Sequence, residues 1–286
     1  DTWNRLQSLI YPDGEVLTNH YDSGGAIRAA EGQKAQHHYT YLKRLEYDKF
    51  GQRQFVELGN NVQTRYSYNP LNRRLATLQA GKEDEETGLE VLFQDLTYQY
   101  DNVGNILAQA NLAAVESPSK MGGETHFQYE YDDLYRLVHA EGTFDYQPSK
   151  QHRYQLDMVY DSIHNIQAKN QLHTLRQPSG TLITQKKTTY DWQYAYEGSQ
   201  PHAPTHLGER TFSYDANGNQ LGWEHDRNAN RRTMVWDEEN RIQSISDNGH
   251  TKTYKYNDAG QRVIKRGPQG ETAYVNQFFV IRNREG

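Results

Sequence analysis

Nine times along this chain an aromatic residue is followed at once by Asp or Asn. The copies are Tyr21-Asp22, Tyr47-Asp48, Tyr68-Asn69, Tyr100-Asp101, Tyr131-Asp132, Tyr160-Asp161, Tyr214-Asp215, Trp236-Asp237 and Tyr256-Asn257. A recurring motif of this kind means one small structural unit built many times, so it limits the fold more than length does. Successive aromatics lie 26, 21, 32, 31, 29, 54, 22 and 20 residues apart, so the unit is the short spacing and the longer gaps carry insertions. In the gap of 54, Tyr190-Asp191 and Tyr194-Ala195-Tyr196-Glu197-Gly198 read as degenerate copies. Asp1-Thr2-Trp3-Asn4-Arg5-Leu6 parallels Asp132-Asp133-Leu134-Tyr135-Arg136-Leu137, so the sequence is expected to open in the middle of a repeat.

The chemistry of one unit follows from its residue types. A second aromatic commonly stands two residues earlier, as in Tyr66/Tyr68, Tyr98/Tyr100, Tyr129/Tyr131, Phe212/Tyr214 and Tyr254/Tyr256, which puts both rings on one face of a strand. Four residues after the key aromatic stand Gly25, Gly51, Asn72, Gly104, Tyr135, His164, Gly218, Asn240 and Gly260. All but Tyr135 are types that tolerate positive φ. The Asp or Asn after the aromatic can bond its own downstream backbone in an Asx turn. Strand, tight turn and a return strand opening on an aliphatic residue (Ile106, Leu137, Ile166, Ile242) then make a β-hairpin. One hairpin is not stable alone, so the units are expected to stack side by side.

Composition agrees with a sheet that has little interior. Leu, Ile, Val and Phe make up 52 of 286 residues, about 18%, whereas Tyr alone numbers 22 and Trp 4. A low aliphatic content warns of disorder only when net charge is high, and here it is -6. Tyrosine buries large area while keeping a polar tip that needs a partner, which predicts an ordered, aromatic and polar packing surface. The chain has no cysteine, so disulfides, thiolate metal sites and cysteine nucleophiles are excluded. The most apolar run, Phe278-Phe279-Val280-Ile281, is far short of a membrane helix.

With the repeat read, Tyr98-Gln99-Tyr100-Asp101-Asn102-Val103-Gly104-Asn105 and Phe212-Ser213-Tyr214-Asp215-Ala216-Asn217-Gly218-Asn219 resemble the YD repeat of RHS-repeat proteins. That family includes the C-components of bacterial Tc toxins, polymorphic Rhs toxins and the teneurin adhesion proteins. The resemblance runs over essentially the whole chain. It implies an all-β fold in which YD hairpins form part of a spiral antiparallel β-sheet shell, or cocoon, with residues 1–286 as one shell fragment. It further implies a structural wall around a cargo polypeptide, the toxin C-terminal region. Secreted or cell-surface delivery is implied as well, and no signal peptide is visible in the sequence. The expected partners are the remainder of the same shell or a partner toxin subunit, and the enclosed cargo. The ending Tyr274-Val275-Asn276-Gln277-Phe278-Phe279-Val280-Ile281-Arg282-Asn283 resembles the stretch before the RHS-associated core of bacterial members. The self-cleaving site and the Asp-Pro-x-Gly signature of that core are not found here. Opening mid-motif and ending before such a core, the chain is expected to need more polypeptide to close a shell.

One segment is set apart. Leu89-Glu90-Val91-Leu92-Phe93-Gln94 matches the six residues upstream of the cut in the rhinovirus-type protease site used in expression work, with Asp95 replacing the usual glycine. It falls in an insertion over residues 79–96, beside the acidic run Glu83-Asp84-Glu85-Glu86, and is expected to be an accessible loop carrying an introduced site. Further insertions over 110–126, 142–155 and 198–209 contain the breakers Pro118, Gly122, Gly123, Pro148, Pro201 and Pro204 and are expected to be loops.

Enzymatic and binding signals are weak beside their structural readings. His202-Ala203-Pro204-Thr205-His206 has a two-histidine spacing, but Pro201 and Pro204 preclude a helix and no third ligand is near. His37 and His38 are adjacent on a strand and face opposite ways. The repeated Asp next to a turn glycine is what turn chemistry alone requires, and neither calcium-loop spacing is present. No nucleophile elbow or phosphate-cradling loop occurs, so neither an enzyme nor a cofactor or metal site is predicted. With 31 basic against 37 acidic residues, and with Arg73-Arg74 and Arg231-Arg232 as the only local basic pairs weighed, nucleic acid is not an expected partner. The rival reading is a carbohydrate-binding or adhesion module, in which tyrosines lie open on one face instead of packing in ladders.

Overall fold

A computed structural model of the chain describes residues 1–84, 86–114, 123–147 and 150–283, with the side chains of residues 146 and 147 not described. The breakers Pro118, Gly122 and Pro148, and Glu85 of the acidic run, lie outside the described residues. Among the described residues there are 24 strands and no helix. Consecutive strands pair antiparallel, as Leu75–Glu83 with Glu90–Tyr100 and Arg231–Trp236 with Ile242–Asp247. The fold is all-β, in agreement with the hairpin reading.

The chain divides into two compact units. One comprises residues 1–157 and 171–190, the other 158–170 and 191–286. In the first, strands alternate between short hairpins and long arms: Leu75–Glu83 returns along the eleven-residue strand Glu90–Tyr100, and Leu137–Gln147 along Lys150–Tyr160. The second holds a meander of mostly five- to seven-residue strands, running through Arg210–Tyr214, Gln220–His225, Arg231–Trp236, Ile242–Asp247 and His250–Tyr256.

Exposure alternates along the repeat strands, so Phe127, Tyr129 and Tyr131 are half-buried while His126, Gln128 and Glu130 are exposed. Period-two sequence has become a two-faced strand. Deep burial is confined among the described residues to Ala80, Ala113, Ala140, Ala168, Asn165 and the glycines Gly32, Gly81, Gly123, Gly142 and Gly222, with no large side chain fully enclosed. The thin interior that the aliphatic shortage predicts is therefore what the fold has. Rings cover backbone instead of meeting in a core. At Gly142, which stands between Phe127 and Tyr154 in register, an added Cβ would fall 2.4 Å from the first ring and 2.6 Å from the second. The two rings meet across it at 6.1 Å between centroids.

Two expectations need correction. The 79–96 insertion is not a loop, because both of its sides pair in a ladder from Thr77↔Thr97 to Glu83↔Glu90. Glu90 to Gln94 lie inside the return strand, with Phe93 and Gln94 exposed. Likewise the described parts of 142–155 continue the hairpin through Gly142↔Tyr154 and Phe144↔His152. The physical reason is common to both. Antiparallel neighbours can be lengthened at their far end without disturbing the register already set, so added residues prolong a ladder instead of leaving backbone groups unpaired.

Candidate functional site

The site is the repeated turn itself. At Asp101 one carboxylate oxygen accepts the amides of Val103 (3.0 Å), Gly104 (2.6 Å) and Asn105 (2.8 Å), and the other accepts the Asn105 side-chain amide (2.7 Å). The backbone closes the same loop, Asp101 N–H donating to Asn105 C=O at 3.0 Å. Asp161 and Asp215 repeat this arrangement with Asn165 and Asn219. At Asp132 and Asp237 an arginine takes the place of the asparagine, Arg136 Nε reaching its Asp at 2.7 Å and Arg241 Nε at 2.8 Å. Asp1 and Arg5 form the same pairing, with Asn4 at φ 57°, so the opening residues do complete a repeat turn.

Positive φ falls where turn chemistry asks for it, at Gly25, Gly51, Gly104, Gly218 and Gly260, and also at Tyr135, His164 and Asn240. Tyr135 holds φ 62° even though its residue type gave no hint of it. Asn72 is a correction: the left-handed residue is Arg73 (φ 62°), one place later. Pro70 lengthens that turn, so Arg73 N–H donates to Asn69 C=O and Asn69 N–H to Arg74 C=O. Tyr190-Asp191 is a second correction, since both residues lie in the strand Tyr190–Ala195 and form no turn.

The polar tip of the key aromatic binds the preceding repeat. Tyr131 donates to the Ile106 carbonyl (3.0 Å), Tyr256 to Ile242 (2.9 Å), Tyr68 to Arg53 (2.9 Å), Tyr21 to Leu6 (2.7 Å), and the Trp236 indole N–H to Gln220 (2.8 Å). In each case the acceptor stands six residues after the previous key aromatic, counting the first from the place just before Asp1. Tyr196 obeys the rule with Ile166 at 3.0 Å, which identifies it as the true copy inside the long gap. Tyr214 reaches Pro204 instead (3.0 Å), at the longer turn that follows Tyr196. Burial raises the phenol pKa of Tyr131 and Tyr214, which keeps them as donors.

A β-bulge accompanies eight of these aromatics. The register shifts between His20/Tyr21, Glu46/Tyr47, Ser67/Tyr68, Gln99/Tyr100, Glu130/Tyr131, Ser213/Tyr214, Val235/Trp236 and Lys255/Tyr256. A bulge bends its strand and adds right-handed twist, so these eight repeats bend their strands at the same place.

Neighbouring turns are also joined side to side. In the first unit Gln52 Nε2 donates to the Arg73 carbonyl (2.9 Å), Arg73 pairs with Asp48, and Arg74 donates to the Asp101 and Asn102 carbonyls at 2.5 and 3.1 Å. In the second, Asn165 donates to the Pro201 carbonyl (2.8 Å) and Gln200 to that of Asp215 (3.0 Å). Asn217 and Asn219 both donate to the Asn240 side-chain oxygen, at 3.0 and 2.7 Å. Arginines at turns lie over rings of the following repeat as well, Arg5 over Tyr21 (4.3 Å) and Arg241 over Tyr256 (5.1 Å). At Asn165 and Asn219 the residue five after the key aromatic thus caps its own turn and also reaches the next. Sequence reasoning assigned it no role, although the recurring Asn in Gly104-Asn105 and Gly218-Asn219 carries the signal.

The carboxylates are set for this task. At Asp215 the Asn219 side chain holds the carboxyl below its usual range, with further amide donors adding to the effect. At Asp101 burial pushes the other way, and the amides of Gly104 and Asn105 outweigh it. His202, weighed above as a metal ligand, hydrogen-bonds the Asn165 side chain at 2.8 Å.

Capped hairpin turns at a recurring spacing, each tied to its neighbours through an aromatic tip and a turn side chain, define a YD-repeat β-sheet protein. The known proteins agree. Residues 145–277 match the family model "Teneurin YD-shell". The Yersinia entomophaga toxin subunits YenC1 and YenC2 are 32% and 34% identical over 49% and 35% of this chain. The chain spans only 15% and 10% of their lengths. A structure of the Photorhabdus luminescens Tc holotoxin pore aligns over 93% of this chain and 13% of its own, with a TM-score of 0.72 and 21% identity. The crystal structure of TcdB2–TccC3 aligns over 91% of this chain and 14% of its own, with a TM-score of 0.57 and 19% identity. Over residues 145–277 the chain matches the YD-shell family model, and over up to half of its length it is similar to these toxin subunits. The matched family model is that of a shell, a structural part.

Proposed function

We propose that this chain is a stretch of curved wall in an RHS-repeat shell that encloses the C-terminal region of a bacterial toxin, and that it carries no catalysis of its own. The observation behind this reading is the bond from Tyr21, Tyr68, Tyr131, Tyr196, Trp236 and Tyr256 to the carbonyl six residues past the aromatic of the preceding repeat. A wall must carry load from unit to unit, and here the link between units is written into the motif that defines them. Nearest-neighbour terms add along such an array, so a long wall is stable without a thick core. The bulges at eight repeats supply the bend that closure needs. The partners on this reading are the rest of the same shell or a companion toxin subunit, and the polypeptide inside. Delivery outside the producing cell follows from the same toxin role. The residue pattern Leu89 to Gln94 stays, in this proposal, an introduced protease site, now placed on a strand of a hairpin arm.

The half-buried state of the repeat tyrosines speaks against a row of open sugar-binding rings. The test is enclosure. In the full-length polypeptide that contains this chain, the segment carried in the shell should resist added protease, and Asp101→Ala combined with Asp215→Ala should make it digestible. Rapid digestion of that segment in the unaltered protein would overturn the proposal.

A further inference from the structure

The hairpin formed by Ile27–Lys34 and His37–Tyr47 carries two rings that do not behave like repeat aromatics. Tyr39 and Tyr41 are 43% and 45% exposed, against the half-buried rings of the YD motif. They lie side by side, 6.3 Å between centroids and 20° between planes. Gly32 makes this possible. It stands opposite Tyr39 in register, and a Cβ there would fall 2.5 Å from the Tyr41 ring, so the ring rests on bare backbone while 45% of the residue stays exposed. Its edge is fixed by a hydrogen bond from the Tyr41 phenol to one carboxylate oxygen of Glu15. That bond pushes the Tyr41 pKa up to about 12, so the phenol stays a donor at any physiological pH. Beside the pair, Lys34 is held by Asp13 at 2.7 Å and so cancels that carboxylate's charge. His37 lies at the end of the row, 6.5 Å from Tyr39 and tilted 33° to it. With Lys34 near both the Asp13 and Glu15 carboxylates, one net negative charge is left beside the two rings.

Elsewhere this protein covers such rings with its own arginines. Arg5 lies 4.3 Å from the Tyr21 ring, Arg73 4.2 Å from Phe50, Arg210 4.4 Å from Trp223 and Arg262 4.7 Å from Tyr274, whose hydroxyl it also binds. Among the described residues no arginine lies over Tyr39 or Tyr41. We infer that the Tyr39–Tyr41 platform with the Glu15 carboxylate is a docking site for an arginine side chain presented by a partner polypeptide. A guanidinium stacks flat on a ring and donates from its edge to a carboxylate, which is the geometry left open here. Lysine offers a point charge without the plane and fits it less well. The inference is independent of the shell reading, since it concerns the exposed rings of one hairpin.

The test is a titration of the whole chain followed by ring-proton NMR of Tyr39 and Tyr41, the probe being a short Thr-Arg-Thr-Arg-Thr peptide. Saturable shifts at both rings are expected. Affinity should fall at least about fivefold with Glu15→Gln, which keeps the hydrogen-bonding partner of Tyr41 but removes the charge, and by a similar factor when lysine replaces arginine in the probe. Tyr39→Leu serves as a second variant, with the Tyr41 resonance reporting that the hairpin is intact. No saturable shift, or equal binding of the lysine probe or of Glu15→Gln, would overturn the inference. So would stronger binding of a neutral cello-oligosaccharide, which would make the rings a sugar platform.

Discussion

The two ends of each hairpin are under different constraints, and the two units show it by contrast. In the second unit Tyr214, Trp236 and Tyr256 follow one another at 22 and 20 residues, and the ends remote from their turns are short, as at Asp247↔His250. In the first unit the Tyr68 to Tyr100 interval is 32 residues, yet the Asp101 turn has the same cap, bulge and positive-φ glycine as the Asp215 turn. The extra residues sit wholly at the far end, where Leu75–Glu83 and Glu90–Tyr100 run on as a longer ladder. The turn end is fixed because it touches the turns beside it. The far end, by contrast, is free to grow.

Altering the turn end should do the most damage. Gly104 holds φ +115°, and a Cβ there would meet the Arg74 guanidinium at 3.0 Å, the group that links this turn to the one before. Gly104→Val is expected to destabilise the chain by about 2–3 kcal/mol in urea unfolding, because it forces a β-branched residue into the left-handed region. A loss no larger than that of an ordinary surface substitution would contradict the assignment of this rim as the fixed end.

Acid should act on the turns as a set. Asp132, where the Arg136 amide leads, and Asp215, where the Asn219 side chain leads, both have pKa values lowered from 3.8. Asp101, Asp161 and Asp237 are lowered too, their donors outweighing the effect of burial. A folded-state value below the unfolded one means the stabilisation is present in full above the unfolded value and is lost as pH falls through the folded one. Stability should therefore decline below about pH 4, and Asp101→Asn with Asp215→Asn should flatten that decline. An identical acid profile in the double variant would show that these carboxylates carry no special weight.

Shortening the far end should matter least. Replacing residues 82–91 by Asn-Gly joins Gly81 to Leu92, which are already register partners, through a two-residue turn suited to a hairpin. The change in stability is expected to stay within about 1 kcal/mol, and the inter-repeat bonds of Tyr131 and Tyr68 should survive. Loss of folding would show that the arm is required by the turns rather than appended to them.

Much of the turn was legible in the chain. Tyr-Asp followed at a set distance by Gly or Asn has one economical backbone solution, and the structure has it at Asp101, Asp215 and Asp237. Three things were not legible, each for a physical reason. Arg73 took the left-handed place from Asn72 because Pro70 lengthens that turn by one residue, and propensity alone favours asparagine. The bulges leave no residue signature, since they arise from how register resumes after the turn. The insertions passed for loops because polar, breaker-containing sequence can still pair when a neighbouring strand fixes its register, as it does for Gln79 to Glu83. The Tyr39–Tyr41 platform differs from the repeat by context rather than by composition, and only the exposure of its rings sets it apart.

The central claim is that neighbouring turns are bound to one another by their side chains, and the Asn219–Asn240 contact at 2.7 Å tests it most directly. A double-mutant cycle with Asn219→Ala and Asn240→Gly, the glycine relieving the φ of 58° at that position, isolates the pair. The account predicts a coupling of about 0.5–1 kcal/mol between residues that cap different turns. Strict additivity of the two substitutions would mean that the turns merely lie side by side, and would contradict it.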